Sequence, residues 1–392
     1  MSDADRSGVD SLGFEGARDT PCGSAGCFVR WIGAVVRCRH RTTAYLTPVA
    51  FPEISVLIAG MTDASEYSAM RSGALLIDRS DRVRIRFGGA KAAELVTGLV
   101  TNDVLSLTPG HGQYAGALTP KGKIAADLRI FADDEGLITD TSARAGSNWR
   151  EIVTKYINPR IAPYRDVSAE TRDLGVFGPK SRKLVASVAG VDEDMLAALP
   201  PYGHIRVGDA DARQMVVRVT EVDVEGYEIF APSAAEPRLR ERLLSGGAIP
   251  GGARAWDIAR IEAGRPEWGI DMNDATIPQE ANFDALGAIS YTKGCYTGQE
   301  TVARVHFRGH VNRFLRRLHF VSAAVPPTNA ELLDDAGNVV GDVRSVAMSP
   351  RQGGVALAMV RREVAPGTTL NARWDGGECT MQIAAQEKGA TG

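Results

Sequence analysis

The sequence has few cysteines and aromatic residues, and it has no long hydrophobic run. Five cysteines are scattered over 392 residues, which gives no disulfide framework and favours a reducing compartment. No apolar run approaches the roughly 18 residues needed to cross a bilayer, and the chain does not open with the basic-then-apolar order of a secretory signal. These absences argue against a disulfide-rich secreted domain, and they predict a cytoplasmic protein without a membrane partner.

An excess of charge of one sign is also missing, since 45 basic residues stand against 48 acidic ones. This balance gives no general support for a nucleic-acid partner. Residues 304–317 are an exception, because they contain five arginines, two histidines and no acid. We interpret this segment as the solvated face of a strand. A polyanionic ligand, RNA or a protein partner docking there remains the alternative.

The order of predicted elements indicates an α+β protein of two or three domains, at about 150 residues per domain. Val83, Ile85 and Phe87 alternate with arginines, which predicts a half-exposed strand. From residue 171 the order β-α-β-β-β-α resembles a ferredoxin-like unit. Short strands beyond residue 325 predict a small β-barrel. The predicted segments are an extension of poor order (1–62), a first domain (63–170 plus 250–312), a ferredoxin-like domain (171–249) and a β-barrel domain (313–392).

Metal binding has little support in the sequence. His306 and His310 are four residues apart, but they lie in a segment predicted to be a strand, and no carboxylate or cysteine completes a site nearby. The spacing of Cys22, Cys27 and Cys38 matches no common zinc module. We therefore predict no metal site.

Glycines bracket a thiol and an aromatic side chain in one unusual segment. Glycine lets the backbone approach a ligand closely, and a cationic Lys293 beside the thiol of Cys295 would favour the reactive thiolate. A lone cysteine is more often a small buried hydrophobe, and that interpretation stays open. The residues of this segment are Lys293, Gly294, Cys295, Tyr296, Thr297, Gly298, Gln299 and Glu300, followed by Arg304.

A second candidate residue lies at the end of a predicted helix. The pattern from Trp256 to Ala263 predicts a helix that Gly264 ends in the left-handed conformation, which places Glu262 in the last turn. A carboxylate there faces the negative end of the helix dipole, at a cost of roughly 0.3–1 kcal/mol. A salt bridge to Arg260 or Arg265 would offset this cost. A bound ligand would also offset this cost if the edge of its ring donated paired hydrogen bonds to the Glu262 carboxylate.

The segment from Lys293 to Glu300 with Arg304 resembles the signature of YgfZ-type folate-binding proteins, which are relatives of the glycine-cleavage T-protein (GcvT). Further landmarks extend the resemblance from about Ser68 to Glu363. They are Thr101-Asn102-Asp103, Lys121-Gly122-Lys123 with Asp127, Gly226-Tyr227-Glu228-Ile229, Arg260 to Gly264, and Gly341 to Ser345. The resemblance implies a three-domain GcvT/YgfZ-like ring, with tetrahydrofolate or a derivative bound in a central opening and residues 63–170 plus 250–312 as the folate-binding domain.

The resemblance also implies roles for individual residues. Glu262 matches the carboxylate that holds the pterin ring in this superfamily. The other implied cofactor-binding residues are Arg260, Trp268, Tyr114 and Asn102. Cys295 and Asp127 are the implied reactive residues.

The function implied first is that of an accessory protein rather than an enzyme. It would bind tetrahydrofolate and support the assembly or repair of iron-sulfur clusters, including those of tRNA-modifying enzymes, with Cys295 as a thiolate and iron-sulfur proteins as partners. T-proteins usually carry two adjacent acids where this chain has Ala126 and Asp127, which argued against transferase chemistry. The alternative is a folate-dependent aminomethyltransferase or demethylase with Asp127 as its polar catalyst.

Overall fold

The structure of the protein is a computed structural model that divides the chain into two compact units, Met1–Val56 and Leu57–Gly392. In the first unit, strands β1 and β2 form an antiparallel pair. Apart from these two strands, residues 1–62 lie outside the described residues, so the expected poor order of this extension is not tested. The same holds for the three cysteines considered as zinc ligands, which are Cys22, Cys27 and Cys38. The residues that the structure describes are Arg30–Ile32 (β1), Val35–Arg37 (β2), 65–208 and 213–385.

A five-stranded sheet forms the first layer of the second unit, in the order β5-β6-β7-β4-β8. Trp149 of α3 is fully buried against it, and its indole Nε1 donates a hydrogen bond to Thr139 Oγ1 at 2.8 Å. This contact fixes α3 on the sheet. The elements are β4 (Val83–Phe87), α2 (Ala92–Thr97), β5 (His111–Leu118), β6 (Ile124–Asp133), β7 (Gly136–Thr141), α3 (Ala143–Tyr156) and β8 (Tyr164–Asp166).

A six-stranded sheet follows in the order β10-β11-β12-β9-β3-β13. Its strands from β9 to β12, with α4 and α6, reproduce the predicted β-α-β-β-β-α order, while β3 and β13 extend it from the flanking chain. The exact domain boundaries stay a prediction. The elements are α1 (65–72), β3 (Leu75–Asp78), β9 (Thr171–Phe177), α4 (Ser181–Ala189), α5 (Glu193–Ala197), β10 (His204–Val207), β11 (Gln214–Val219), β12 (Gly226–Pro232), α6 (Glu236–Ser245) and β13 (Ile249–Gly251).

The chain ends in a closed six-stranded barrel of order β14-β17-β16-β15-β18-β19. The barrel and the two mixed α/β layers confirm the predicted fold class. In the part of the chain that the structure describes, no helix has the length and apolar character to cross a membrane. The remaining elements are α7 (Ala253–Glu262), α8 (Gln299–Arg308), β14 (Arg313–Phe320), β15 (Glu331–Leu333), β16 (Val339–Ser349), β17 (Gly353–Arg361), β18 (Thr369–Trp374) and β19 (Gly377–Ile383).

Two predictions about local structure are wrong. Residues 304–308 belong to α8, not to a strand, because the alternation of Val305 and Phe307 imitates the strand period in a helix that buries only Val302. Strand β4 is not half-exposed, since Arg84 has only 1% of its surface accessible. The guanidinium of Arg84 is ion-paired with Asp140 and Asp173, at 3.0 Å each. A paired arginine is therefore buried where the sequence pattern indicated a solvent-facing side chain.

Arg84 belongs to a buried group of charges where the two sheets meet, which we call the central ion network. At its centre, Arg129 donates from Nε to Asp140 at 2.8 Å and from Nη1 to Glu228 at 2.6 Å. Because Asp140 lies on β7 and Glu228 on β12, these contacts join the five-stranded sheet to the six-stranded sheet. The members of the network are Arg79, Arg82, Arg84, Arg129, Asp140, Asp173, Glu221 and Glu228.

Candidate active site around Asp127

Asp127 is held by a neighbour on the adjacent strand. Gly116 of β5 lies opposite Asp127 of β6, so Tyr114, two residues away, is a diagonal neighbour on the same face. The Tyr114 hydroxyl donates to Asp127 Oδ2 at 2.9 Å. Asp127 Oδ1 is buried and has no hydrogen-bond partner among the described residues. One carboxylate oxygen is therefore fixed, and the other is left for a ligand.

The surroundings of Asp127 favour its protonated form. Burial raises the pKa of Asp127 above its ordinary value, although the charge of Arg82 and the hydrogen bond from Tyr114 act in the opposite direction. Burial also raises the pKa of Glu267, and the negative charge of Asp127 raises it further. A carboxyl whose pKa moves toward neutrality is suited to general acid–base catalysis.

Two residues beside Asp127 were missed or misjudged from the sequence. The guanidinium of Arg265 lies 4.0 Å from the ring centroid of Tyr114, and its Nη2 donates to the Tyr202 hydroxyl at 3.0 Å. Arg265 thus packs on the residue that holds Asp127, whereas the sequence suggested it only as a partner of Glu262. Glu267 gave no signal, because the fold alone brings it near Asp127.

A polar cleft of about 240 Å³ opens beside this group. Two of its lining residues are electrostatically linked to Asp127, which does not itself line the cleft: the charge of Arg82 lowers the pKa of Asp127, and the charge of Asp127 raises the pKa of Glu267. Trp268 is half-buried nearby, and its indole Nε1 donates to the backbone carbonyl of Ile124 at 3.2 Å. The other lining residues include Ser142, Arg144, Trp256 and Ile270.

Glu262 ends α7, and Gly264 adopts a φ of 71° as the sequence predicts. Its carboxylate is buried, but its partners differ from those expected. The Tyr67 hydroxyl donates to Oε1 at 2.8 Å, and Ser349 Oγ and Arg71 Nη2 donate as well. Glu262 therefore joins α1, α7 and barrel strand β16 through its carboxylate. A role of Glu262 toward the pterin stays a prediction.

Arg260 and Asn102 also have partners within the protein. Arg260 donates from Nη1 to Asp271 at 2.7 Å and from Nη2 to Ser345 Oγ at 3.0 Å. Asn102 Nδ2 donates to the backbone carbonyl of Tyr114 at 3.0 Å. Asn102 thus supports the strand that carries Tyr114, while Arg260 ties α7 to the barrel. Direct contacts of either residue with a cofactor stay predictions.

The signature segment contacts the first sheet through Lys293. Its ammonium donates to the backbone carbonyls of Thr97, Val100 and Asn102, the last two at 2.7 and 2.9 Å. Burial lowers the pKa of Lys293 to about 8, which still leaves the ammonium mostly charged at neutral pH. The cation expected to favour a thiolate at Cys295 is therefore directed at the carbonyls that follow α2.

The two glycines of the segment differ in role. A Cβ at Gly294 would meet no described atom within 4 Å, so close backbone approach does not explain that glycine. Gly298 has a φ of 79°, and a Cβ there would lie 2.6 Å from the Thr119 carbonyl. Gly298 therefore packs against the turn that begins at Thr119. Tyr296 is buried beneath the Lys293 ammonium, and Gln299 N–H donates to the Tyr296 carbonyl.

The side chains of Cys295, Glu300 and Arg304 are exposed. Glu300 and Arg304 lie on α8, and Cys295 lies in the loop before it. The structure thus joins Tyr114 to Asp127 by a hydrogen bond, attaches Trp268 to Ile124 on the strand that carries Asp127, and leaves the thiol on the surface. A catalytic role of Cys295 stays a prediction.

We expect Lys293→Met to destabilise the fold by roughly 2–4 kcal/mol, because three backbone carbonyls lose a charged donor. The free energy of unfolding in urea measures this effect. Lys121→Met is the matched control, since Lys121 is exposed and its substitution should cost less than about 0.5 kcal/mol. Equal stability of both variants would show that the contacts of Lys293 do not support the fold.

Comparisons with known proteins agree with this architecture. The sequence matches the family described as "GCVT N-terminal domain" over residues 35–290. The aminomethyltransferase of Saccharopolyspora erythraea is 27% identical over 82% of this chain and 89% of that protein. The aminomethyltransferase of Bordetella parapertussis is 29% identical over 78% of this chain and 82% of that protein. The crystal structure of glycine cleavage system aminomethyltransferase T from Bartonella henselae superposes with a TM-score of 0.73 at 22% identity, over 82% of this chain and 88% of that one.

These findings correct two expectations. The leading prediction of an accessory protein for iron-sulfur clusters is wrong, because the relatives are named aminomethyltransferases. The preference for an accessory protein over an enzyme is wrong for the same reason. Iron-sulfur partners and tRNA modification have no support. The alternative drawn from the same resemblance, a folate-dependent aminomethyltransferase, fits the comparisons. The prediction of tetrahydrofolate as cofactor agrees with the family.

Proposed function

Because the chain belongs to the GCVT family, we propose that it is a tetrahydrofolate-dependent aminomethyltransferase with Asp127 as its acid–base residue. The observation that carries this proposal is the buried, unpartnered Oδ1 of Asp127 beside a polar cleft. A buried carboxylate oxygen without a partner is costly unless a ligand satisfies it. The named relatives support the same chemistry.

The residues around the cleft fit tetrahydrofolate. Asp127 Oδ1 offers an acceptor to a ring N–H. Half-buried Trp268, whose indole donates to Ile124 on the strand of Asp127, offers an aromatic surface. When bound, tetrahydrofolate would supply the two nitrogen atoms that take up the one-carbon unit as methylenetetrahydrofolate. The amino group of the donor leaves as ammonia, the bond from the one-carbon unit to its carrier also breaks, and the two N–H protons pass to these two leaving atoms. Asp127 and Trp268 are therefore the residues that we expect to hold it.

Asp127 alone is expected to manage the proton in this exchange. Its raised pKa keeps a proton at Oδ1 accessible at higher pH than an ordinary aspartate would. The residue before it is Ala126, so no adjacent acid shares the task. Glu267 is the carboxyl whose pKa is raised by burial and by the charge of Asp127, and it lines the cleft.

Tyr114 acts as a positioning residue, and Tyr114→Phe tests this. Its hydrogen bond lowers the pKa of Asp127, so its loss should raise that pKa and move the limb of the kcat–pH profile governed by Asp127 to higher pH. We expect kcat at neutral pH to fall about tenfold, with little change in the KM for tetrahydrofolate. Carboxyl NMR titration of Asp127 provides a reading independent of turnover. An unchanged pKa in Tyr114→Phe would contradict this role.

The assay that tests the proposed function measures methylenetetrahydrofolate formation from tetrahydrofolate and an aminomethyl donor of the glycine-cleavage type. Calorimetric binding of tetrahydrofolate to the same preparation separates recognition from turnover. We expect binding and turnover in wild type. In Cys295→Ala, activity within about twofold of wild type would contradict the predicted catalytic role of this exposed thiol. Binding without any turnover would refute the transferase.

Membership in the YgfZ-type branch of the family remains a finer proposal. It rests on the segment from Lys293 to Glu300 with Arg304. The contacts that Lys293 and Gly298 make with the first sheet layer support the fold. Cytoplasmic localisation likewise stays a prediction. Neither alters the chemistry proposed for Asp127.

A further inference from the structure

A second cavity, of about 210 Å³, lies where the five-stranded sheet meets the six-stranded sheet. Five of its thirteen lining residues are arginines, and Glu170 is the single acid among them. The arginines come from both sheets, with Arg84 and Arg86 on β4, Arg165 on β8, Arg206 on β10 and Arg213 just before β11. Guanidiniums brought this close repel one another unless anions lie between them.

Within residues 65–208 and 213–385, the acids near this cavity do not fully compensate its arginines. Arg86, Arg206 and Arg213 share two carboxylates, Asp133 and Glu135. This set of three cations and two anions keeps one positive charge. Arg165 pairs with Glu170 at the exposed rim, and this pair adds no net charge.

Two buried donors on the lining arginines lack partners. Arg206 Nε and Arg84 Nη1 find no acceptor within the described ranges. Only 1% of the surface of Arg84 is accessible to solvent. Its ion pairs with Asp140 and Asp173 engage Nε and Nη2, which leaves Nη1 as the donor without an acceptor. Unpaired buried guanidinium N–H groups favour an oxyanion, which accepts charge-assisted hydrogen bonds.

Apart from Thr171, the rest of the lining is apolar. Met215, Phe230 and Val167 contribute hydrocarbon surface, and the Arg84 guanidinium lies 4.7 Å from the ring centroid of Phe230. This combination suits a ligand with an anionic head and a small carbon body. Bare phosphate would use the arginines alone.

We propose that this cavity binds a small phosphate dianion, free or as a monoester, between Arg165 and Arg206 with Arg84 at its floor. The site is distinct from the cleft lined by Arg82 and Glu267, because the two cavities share no lining residue. Because Asp140 pairs with both Arg82 of the cleft and Arg84 of this cavity, the two sites share one buried carboxylate.

Isothermal titration calorimetry at low ionic strength tests the site, with inorganic phosphate, phenyl phosphate and the dicarboxylate glutarate as probes. We expect saturable one-to-one binding of a phosphate and a matching rise in melting temperature. Tighter binding of phenyl phosphate would identify a monoester, and equal binding would identify the free ion. Preference for glutarate, or no saturable binding of either phosphate, would overturn the proposal.

Arg165→Gln and Arg206→Gln should each weaken phosphate binding about tenfold, as expected for loss of one charge-assisted contact. Arg165 is exposed enough, at 63% of its side chain, that its substitution leaves the fold intact. The matched control is Arg182→Gln, whose side chain is 39% exposed and pairs with Glu225 elsewhere on the six-stranded-sheet layer. Unchanged affinity in Arg165→Gln would exclude this cavity as the binding site.

Discussion

Asp127→Asn should lower kcat for tetrahydrofolate-dependent aminomethyl transfer by about 10²–10⁴-fold, the usual contribution of a general acid–base residue. Asparagine has nearly the same shape, and its side-chain oxygen still accepts the hydrogen bond that Tyr114 donates to Asp127 at 2.9 Å. It cannot hold an exchangeable proton at the position of Oδ1. The loss should therefore appear in turnover rather than in folding.

The matched control for this experiment is Asp274→Asn, which removes the same charge from an exposed position. Its turnover should equal that of wild type. Tetrahydrofolate binding by Asp127→Asn should weaken less than turnover, because Trp268 and the cleft remain. Full activity in Asp127→Asn would assign the proton transfer to another group, and Glu267 would be tested next.

Asp140→Asn should destabilise the protein by about 3–5 kcal/mol, the typical cost of removing one partner from a buried ion pair. Asp140 is fully buried and accepts contacts from three arginines: Arg82 and Arg129 Nη2 at 2.6 Å and Arg84 at 3.0 Å. The substitution leaves these cations with one fewer buried anion. Urea unfolding followed by circular dichroism measures the change.

Asp166→Asn on β8 is the control for that measurement. Asp166 pairs with Arg150, but both side chains are at least 40% exposed, so the expected loss is only about 0–1 kcal/mol. Similar losses in both variants would mean that burial does not distinguish these pairs. The central ion network would then be only a set of neighbouring charges.

Much of the fold follows from local patterns, and the exceptions have physical causes. The barrel strands and α7 with Gly264 were predictable, because turn residues and apolar periodicity mark them directly. The environment of β4 was not, since the partners of Arg84 lie at positions 140 and 173, far along the chain. A strand in which arginines alternate with apolar residues predicts solvent-exposed arginines. Only the tertiary structure shows that carboxylates pair with them in the interior.

The candidate site shows the same limit. Asp127, Tyr114 and Trp268 were identified through family resemblance, and the fold brings them together. Glu267 and the stacking of Arg265 on Tyr114 depend on tertiary contacts that the sequence does not encode locally. Lys293 was judged by its neighbour Cys295, whereas its acceptors lie about 190 positions earlier, at Val100 and Asn102.

The pairing of β3 has a consequence for synthesis on the ribosome. β3 (Leu75–Asp78) emerges early, but its neighbours β9 (Thr171–Phe177) and β13 (Ile249–Gly251) emerge only after the strands of the five-stranded sheet. The nascent chain must therefore carry an apolar strand with two open edges until β9 emerges, and with one open edge until β13 emerges. Such a strand is vulnerable to wrong partners, so slow translation before residue 251 would expose it longest.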